Sequence, residues 1–332
     1  MNDQSPGSGL HRNAIGLAEV LFQSVTAMAP ASAVAFSLGA AIPFAGTALP
    51  LATLIALAIC TLIALNIAAL AKYLPSAGGY FTYVSHGLGD AAGWLTGWLF
   101  SLAYVLIVPL VLLVLGPLAD DFASQRFHLA WGWIVWALLI ACAPLALTFF
   151  GVKLSSDSSV ILGAIEIVIF LVLSVWLIAV GDRLSVRATF TSSGSLEPGL
   201  AGWQGILHGM IFVFLAFAGF ESSAPMAEEA RDPRRTVPRA IIFATLLIGL
   251  FYALCSYAAV AGWGADRITS FASDPNPWGA MAKRVWGEKS IIIIFAILNS
   301  GLGNAVAGIN AASRAMFAMS RGNVAAPIGA HP

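Results

Sequence analysis

The chain has 332 residues, 59% of them hydrophobic and only 10% charged, with 16 basic and 16 acidic side chains and no formal net charge. A soluble domain carries roughly 25% charged residues, so an ordinary water-exposed surface is excluded and a bilayer is the solvent that accepts the excess. The balanced charge, without any Lys/Arg tract interleaved with aromatics, also excludes a nucleic-acid partner.

A bilayer core of about 30 Å takes roughly 20 apolar residues per helix, and its backbone groups must pair internally. Residues 1–14 read as a polar tail. From Val20 to Ala71 there is no Asp, Glu, Lys or Arg, and Pro43, Gly46 and Pro50 divide this stretch into spans at 15–40 and 50–72. Further spans are expected at 91–118, 131–150, 158–181, 204–227, 239–263 and 290–320. They make about eight helices in a single transmembrane domain, 15–321, followed by an end segment, 322–332. The connection from Gly264 to Lys289 contains Pro275, Asn276 and Pro277, room for a short helix over one mouth of the bundle. A small excess of Lys and Arg on one side of the expected topology, with Arg231, Arg234, Arg235 and Arg239 tight against helix ends, places the N-terminus in the cytoplasm.

Cys60, Cys142 and Cys255 each lie in an apolar run without a CxxC neighbour and read as small core residues. His86 and His208 are isolated and read as packing residues. No HExxH, GxSxG or GxxxxGK occurs, so neither a catalytic residue, a metal nor a cofactor is expected.

Two spans carry helix breakers at mid-membrane. The first reads Ser24-Val25-Thr26-Ala27-Met28-Ala29-Pro30-Ala31, the sixth Phe217-Ala218-Gly219-Phe220-Glu221-Ser222-Ser223-Ala224-Pro225. A proline inside a helix removes one donor and clashes with the preceding turn, leaving nearby carbonyls and amides to face a cavity. The sixth span follows the first at an offset of five, an odd number, so a second copy of the pattern would be inverted in the membrane, the arrangement that marks a transporter's midplane site. Two independently kinked helices are the alternative.

Pro75-Ser76-Ala77-Gly78-Gly79-Tyr80-Phe81-Thr82-Tyr83-Val84, with Gly87-Leu88-Gly89 behind it, resembles the loop after the second helix in the amino acid-polyamine-organocation (APC) superfamily. Phe217–Glu221, followed by Glu228-Glu229-Ala230-Arg231-Asp232-Pro233-Arg234-Arg235-Thr236-Val237-Pro238-Arg239, is similar to that superfamily's sixth helix and the loop behind it. Gly151-Val152-Lys153-Leu154 and Ser313-Arg314-Ala315-Met316 agree in order. The resemblance is to permeases of the amino acid permease type and implies an all-α integral membrane protein of LeuT-like/APC fold, with helices 1 and 6 interrupted. Members usually have about twelve helices, so it implies an incomplete second inverted repeat, apparently lacking the last four helices.

By this resemblance the protein is a secondary transporter of amino acids or related amines, multi-pass in the plasma membrane, working by alternating access on a proton or sodium gradient. A truncated or split permease that inserts but needs a complementary C-terminal helical fragment is the alternative. The substrate carboxylate is expected at Thr26, Ala27, Met28, Ala29 and Ala31, and its amino group at Phe217, Ala218, Gly219 and Glu221. A half-helix N-terminus offers N–H groups and a C-terminus carbonyls. Pro30 has no N–H to offer. The position of a gating aromatic is held by Leu215, so Phe214 or Phe217 is expected to close the pocket. Glu228, Glu229, Arg231 and Arg235 are expected to form ion pairs at an inner gate, or else to be a solvated loop. Glu166, Glu221, Ser300 and Asn304 are the proton- or ion-coupling candidates. A carboxylate inside a membrane span is costly unless paired or solvated.

Overall fold

A computed structural model describes residues 13–149, 152–181, 184, 186–195 and 202–321. Most of the expected N-terminal tail, the segment 322–332 and Gly151 of the Gly-Val-Lys-Leu motif lie outside them. Among the described residues there is no strand, only a parallel bridge between Ile15 and Ala230.

The chain begins with α1 (Leu17–Ala27), whose Glu19 carboxylate accepts from the Gly16 amide at 2.9 Å. It stops at Ala29, held in the left-handed region at φ +46 just before Pro30. Helix resumes as α2 (Pro30–Ser32), a π-helical turn at Ala33–Leu38 and α3 (Gly39–Ala45). Pro43 sits inside α3 rather than ending it. The chain turns at Gly46, whose φ of +56 is open to glycine without strain, and α4 (Leu49–Tyr73) starts with Pro50 in its first turn.

Next come the short α5 (Tyr80–Leu88), the long α6 (Asp90–Phe127), α7 (Trp133–Phe149), α8 (Val152–Val180) and the short α9 (Val186–Phe190). The third span expected at 91–118 continues to Phe127 because Pro109 and Pro117 are absorbed within α6, which ends only where His128 turns left-handed. Then α10 (Trp203–Phe217) stops at the second break, which runs through turns and a 3-10 turn at Ala224–Met226. The last long helices are α11 (Pro233–Trp263) and α13 (Ile291–Arg321). Between them lie a 3-10 segment, Ala265–Ser273, and α12 (Pro277–Trp286), capped by Asn276, whose Oδ1 accepts from Gly279 N.

Five described stretches are long and apolar enough to cross a membrane, and the first of them, Leu17–Tyr73, turns at Gly46; α7 and α10 are shorter apolar helices. Large apolar side chains point outward along these helices, among them Leu62 (63% exposed), Leu138 (65%), Leu207 (57%) and Leu250 (60%). In water such a surface would aggregate; against acyl chains it is a solvated one. Inside, α11 packs on α4 and α8, α13 on α6 and α8, and α1 lies between α11, α8 and α13. Small residues such as Gly249, Gly301 and Gly308 set these close approaches.

Candidate functional site

The two breaks cross. Gly219, at φ +118, lies so close to Ala27 that a Cβ there would sit 2.6 Å from the Ala27 carbonyl carbon and oxygen. The Ser24 hydroxyl donates to the Phe220 carbonyl at 2.7 Å and accepts from the Ser223 amide at 3.1 Å. Ser222 donates to the Gln23 carbonyl at 3.1 Å.

On the other side of the crossing the buried hydroxyl of Tyr252, on α11, lies 2.7 Å from the Met28 carbonyl and 2.9 Å from the Ala216 carbonyl. A helix end leaves carbonyls without an intrahelical partner, and here one hydroxyl hydrogen serves one such carbonyl from each broken helix. Phe217 packs edge-on against the Tyr252 ring at 5.4 Å. Tyr252→Phe keeps that ring and strands both carbonyls in a dry site, at about 1–3 kcal/mol for each group left unpaired. We therefore expect a fall of several degrees in the apparent melting temperature of the detergent-solubilised protein, read by intrinsic fluorescence.

A cavity of about 130 Å³ opens at the breaks, lined by Met28, Ala29, Ser32, Phe36, Ile107, Val111, Leu115, Leu215, Ala218 and Asn304, among others. Asn304 donates to the Ala27 carbonyl at 2.8 Å, while its Oδ1 is buried without a protein partner. Met28, Ala29 and Ala218 of the expected binding residues therefore line this space. Thr26 does not: its hydroxyl bonds the Phe22 carbonyl at 2.6 Å and its side chain faces Gly163 and Gly303. Phe217 is buried behind the cavity and Phe214 does not line it, so of the expected gate side chains at this level only Leu215 reaches it. The helical period, which turns neighbouring residues onto different faces, explains the difference.

Glu166, fully buried on α8, accepts from Asn299 Nδ2 at 2.7 Å and from the Ser300 hydroxyl at 3.0 Å. Ser300 Oγ in turn accepts from the Ala31 amide at 3.1 Å. The Ala31 amide, at the start of the second half-helix, thus reaches the carboxylate through a hydroxyl, which carries the partial positive charge of that helix end to it. It also commits the Ala31 amide, expected to meet a substrate carboxylate, to Ser300. Glu221 belongs to a different group: Oε1 accepts from the Tyr104 hydroxyl at 2.9 Å and Oε2 from the Gly219 amide at 3.2 Å. The coupling candidates fall into a Glu166–Ser300 cluster, the Glu221–Tyr104 pair and Asn304 at the cavity wall.

The end of the bundle beyond Glu221 is sealed. The Ile15 amide donates to the Glu229 carbonyl and the Arg231 amide to the Ile15 carbonyl, at 3.2 and 2.9 Å. Buried Arg314 donates through Nε to Glu229 Oε2 and through Nη1 to the Asn310 carbonyl. Glu228 accepts from Arg321 at 2.6 Å and from the Ala77 amide at 3.1 Å. The glutamates therefore pair with α13 and not with the arginines of their own loop; Arg235 stays exposed, 3.6 Å from Asp232, and Arg231 Nε reaches the Asn13 carbonyl. Tyr80, Phe100 and Tyr104 stack edge to face or tilted above this seal.

The opposite end is hollow. A cavity of about 460 Å³ between Asp121, Arg126, Asp274, Lys283 and Glu288 shares Leu118 and Asp274–Asn276 with one of about 240 Å³. That cavity meets the space at the breaks across Phe36.

The family model described as "Amino acid permease" matches residues 19–331. The chain belongs to the amino acid permease family. This makes it an all-α, multi-pass membrane protein of a transporter family, not of an enzyme family. An uncharacterized transporter of Mycobacterium tuberculosis is 29% identical to this permease-family chain over 93% of the chain and 66% of its own length. A branched-chain amino acid permease of Lactococcus lactis is 25% identical over 85% of the chain and 62% of its own length. An L-methionine/branched-chain amino acid exporter of Escherichia coli is 30% identical over 57% of the chain and 42% of its own length. The chain spans about two thirds or less of the length of these relatives.

Beyond the residues expected at the site from sequence, it uses Gln23, Tyr104 and Tyr252, together with Ser24 and Arg314, which the sequence offers only as parts of longer motifs. Gln23 donates to the Ala307 carbonyl at 2.9 Å.

Proposed function

We propose that the chain carries amino acids with apolar side chains, or related amines, across the plasma membrane by alternating access, its N-terminus cytoplasmic and its driving force a proton or sodium gradient. The observation that carries this reading is the crossing of two broken helices over a cavity walled by their own peptide groups. The largely aliphatic lining suits a branched or thioether side chain, in line with the names of two relatives. The unpaired Asn304 Oδ1 and the carbonyl side of Ala218 and Gly219 are the acceptors for a substrate ammonium. The peptide groups from Met28 to Ala31 are the counterpart for its carboxylate, with Ser300 yielding the Ala31 amide. Glu166 and Ser300 form the coupling site, and Glu221 with Tyr104 lines the way to the sealed end. Leu215 forms the gate at the cavity; Glu229 with Arg314 and Glu228 with Arg321 form the inner one. The linked cavities at one end and the seal at the other are those of an outward-facing state.

The test is uptake of labelled leucine, methionine and amines into liposomes holding the purified chain, under imposed pH and sodium gradients in turn. Accumulation under one gradient is expected, and Glu166→Gln should cut it at least tenfold. The absence of uptake or exchange of any amino acid or amine overturns the reading.

A further inference from the structure

At the sealed end of the bundle α4 finishes where α11 begins, and between them lies a cavity of about 410 Å³ lined by Lys72, Tyr73, Asp232, Arg234 and Arg235. Three cations face a single carboxylate, and that carboxylate stays within 3.6 Å of Arg235. The positive end of the 31-residue α11 adds to the same field.

What lies beneath this basic rim decides its ligand. Arg235, Arg239, Phe243, Leu246 and Leu250 follow one another at the spacing of one helix face, and the last three are 50%, 37% and 60% exposed. On α4 the line below Tyr73 continues through Leu70, Asn66 and Leu62, all three exposed, the leucines 42% and 63%. A loop merely solvated by water has no apolar wall running away from it, and a soluble phosphate has no use for one. A phospholipid needs both. Tyrosine at such a boundary is the usual interfacial anchor, and basic clusters at helix ends attract anionic headgroups.

We propose that this pocket binds the phosphate headgroup of an anionic phospholipid, its acyl chains lying along the exposed faces of α4 and α11. The site is independent of what the protein transports.

The purified full chain in a neutral maltoside detergent is titrated with phosphatidylglycerol, phosphatidylcholine or inorganic phosphate. Apparent melting temperature and the lipids retained in native mass spectra are then recorded. Phosphatidylglycerol is expected to bind at least tenfold more tightly than phosphatidylcholine and to raise the melting temperature by several degrees. The triple variant Lys72→Gln/Arg234→Gln/Arg235→Gln should lose that preference, while Arg126→Gln/Lys283→Gln at the other end keeps it. If the triple variant does not fold, Arg234→Gln alone, on an exposed side chain, should reduce the preference at least threefold. Equal binding of the two lipids, an undiminished preference in these variants, or the same stabilisation by millimolar inorganic phosphate alone overturns the proposal.

Discussion

Gly219→Ala is expected to abolish ligand-induced stabilisation and to destabilise the folded protein by about 3 kcal/mol or more. The added methyl would meet backbone, the Ala27 carbonyl group at 2.6 Å, and backbone cannot rotate aside as the end of a side chain does. Overpacking of this kind costs about 1–3 kcal/mol, and an L residue at a glycine-only φ adds about 1–3 kcal/mol. The methyl also pries apart the two segments that wall the cavity. Thermal unfolding with and without amino acids measures both effects. Gly87→Ala is the matched control: a Cβ there meets nothing within 4 Å and should leave the melting temperature unchanged. Equal behaviour of the two variants would mean that the crossing is not tight.

Arg314→Met should be the most damaging single change at the sealed end. The Arg314 and Glu229 side chains are 4% and 2% exposed, so removing the cation leaves a carboxylate in a dry interface, at about 3–5 kcal/mol. Adding Glu229→Leu removes that stranded charge as well, and replacing a buried pair by apolar groups of similar size is often close to neutral. The double variant is therefore expected to recover most of the lost melting temperature. The same pair of substitutions discriminates a structural clasp from a gate: a gate needs the charges to separate and rejoin, so the double variant would be stable yet slow in exchange. If Arg314→Met alone unfolds at the wild-type temperature, the pair contributes nothing.

The positions of the long helices were legible because apolar runs are bounded by residues that cannot stay in hydrocarbon or in a helix, and Ala29-Pro30 is such a boundary inside a run. The odd carboxylates were legible for the same reason: Glu166 and Glu221 stand out in any apolar stretch. Their partners were not. Hydroxyls in these helices mostly bond the carbonyl four residues back, as Thr53, Thr61 and Thr245 do, and no local pattern tells Tyr252 or Ser24 apart from them. Proximity in sequence likewise favoured Arg231 and Arg235 as mates for Glu229, whereas the buried mate is 85 residues away on α13. Thr26 and Phe217 were placed in the pocket by analogy of position, and the rotation of their helices turns them out of it. Element type follows from the solvent; pairing across elements follows from packing, which a single sequence does not display.

Ala29 is confined from two directions. Its φ of +46 is a conformation that costs an L residue about 1–2 kcal/mol, and the pyrrolidine ring that follows disfavours the right-handed alternative. Joining Leu17–Ala27 and Pro30–Ser32 into a single uninterrupted rod would put Ala29 in the right-handed region that a following proline disfavours. Proline alone does not break these helices, since α3 and α6 absorb Pro43, Pro109 and Pro117; the left-handed Ala29 before Pro30 is what sets the two half-helices apart as separate rods.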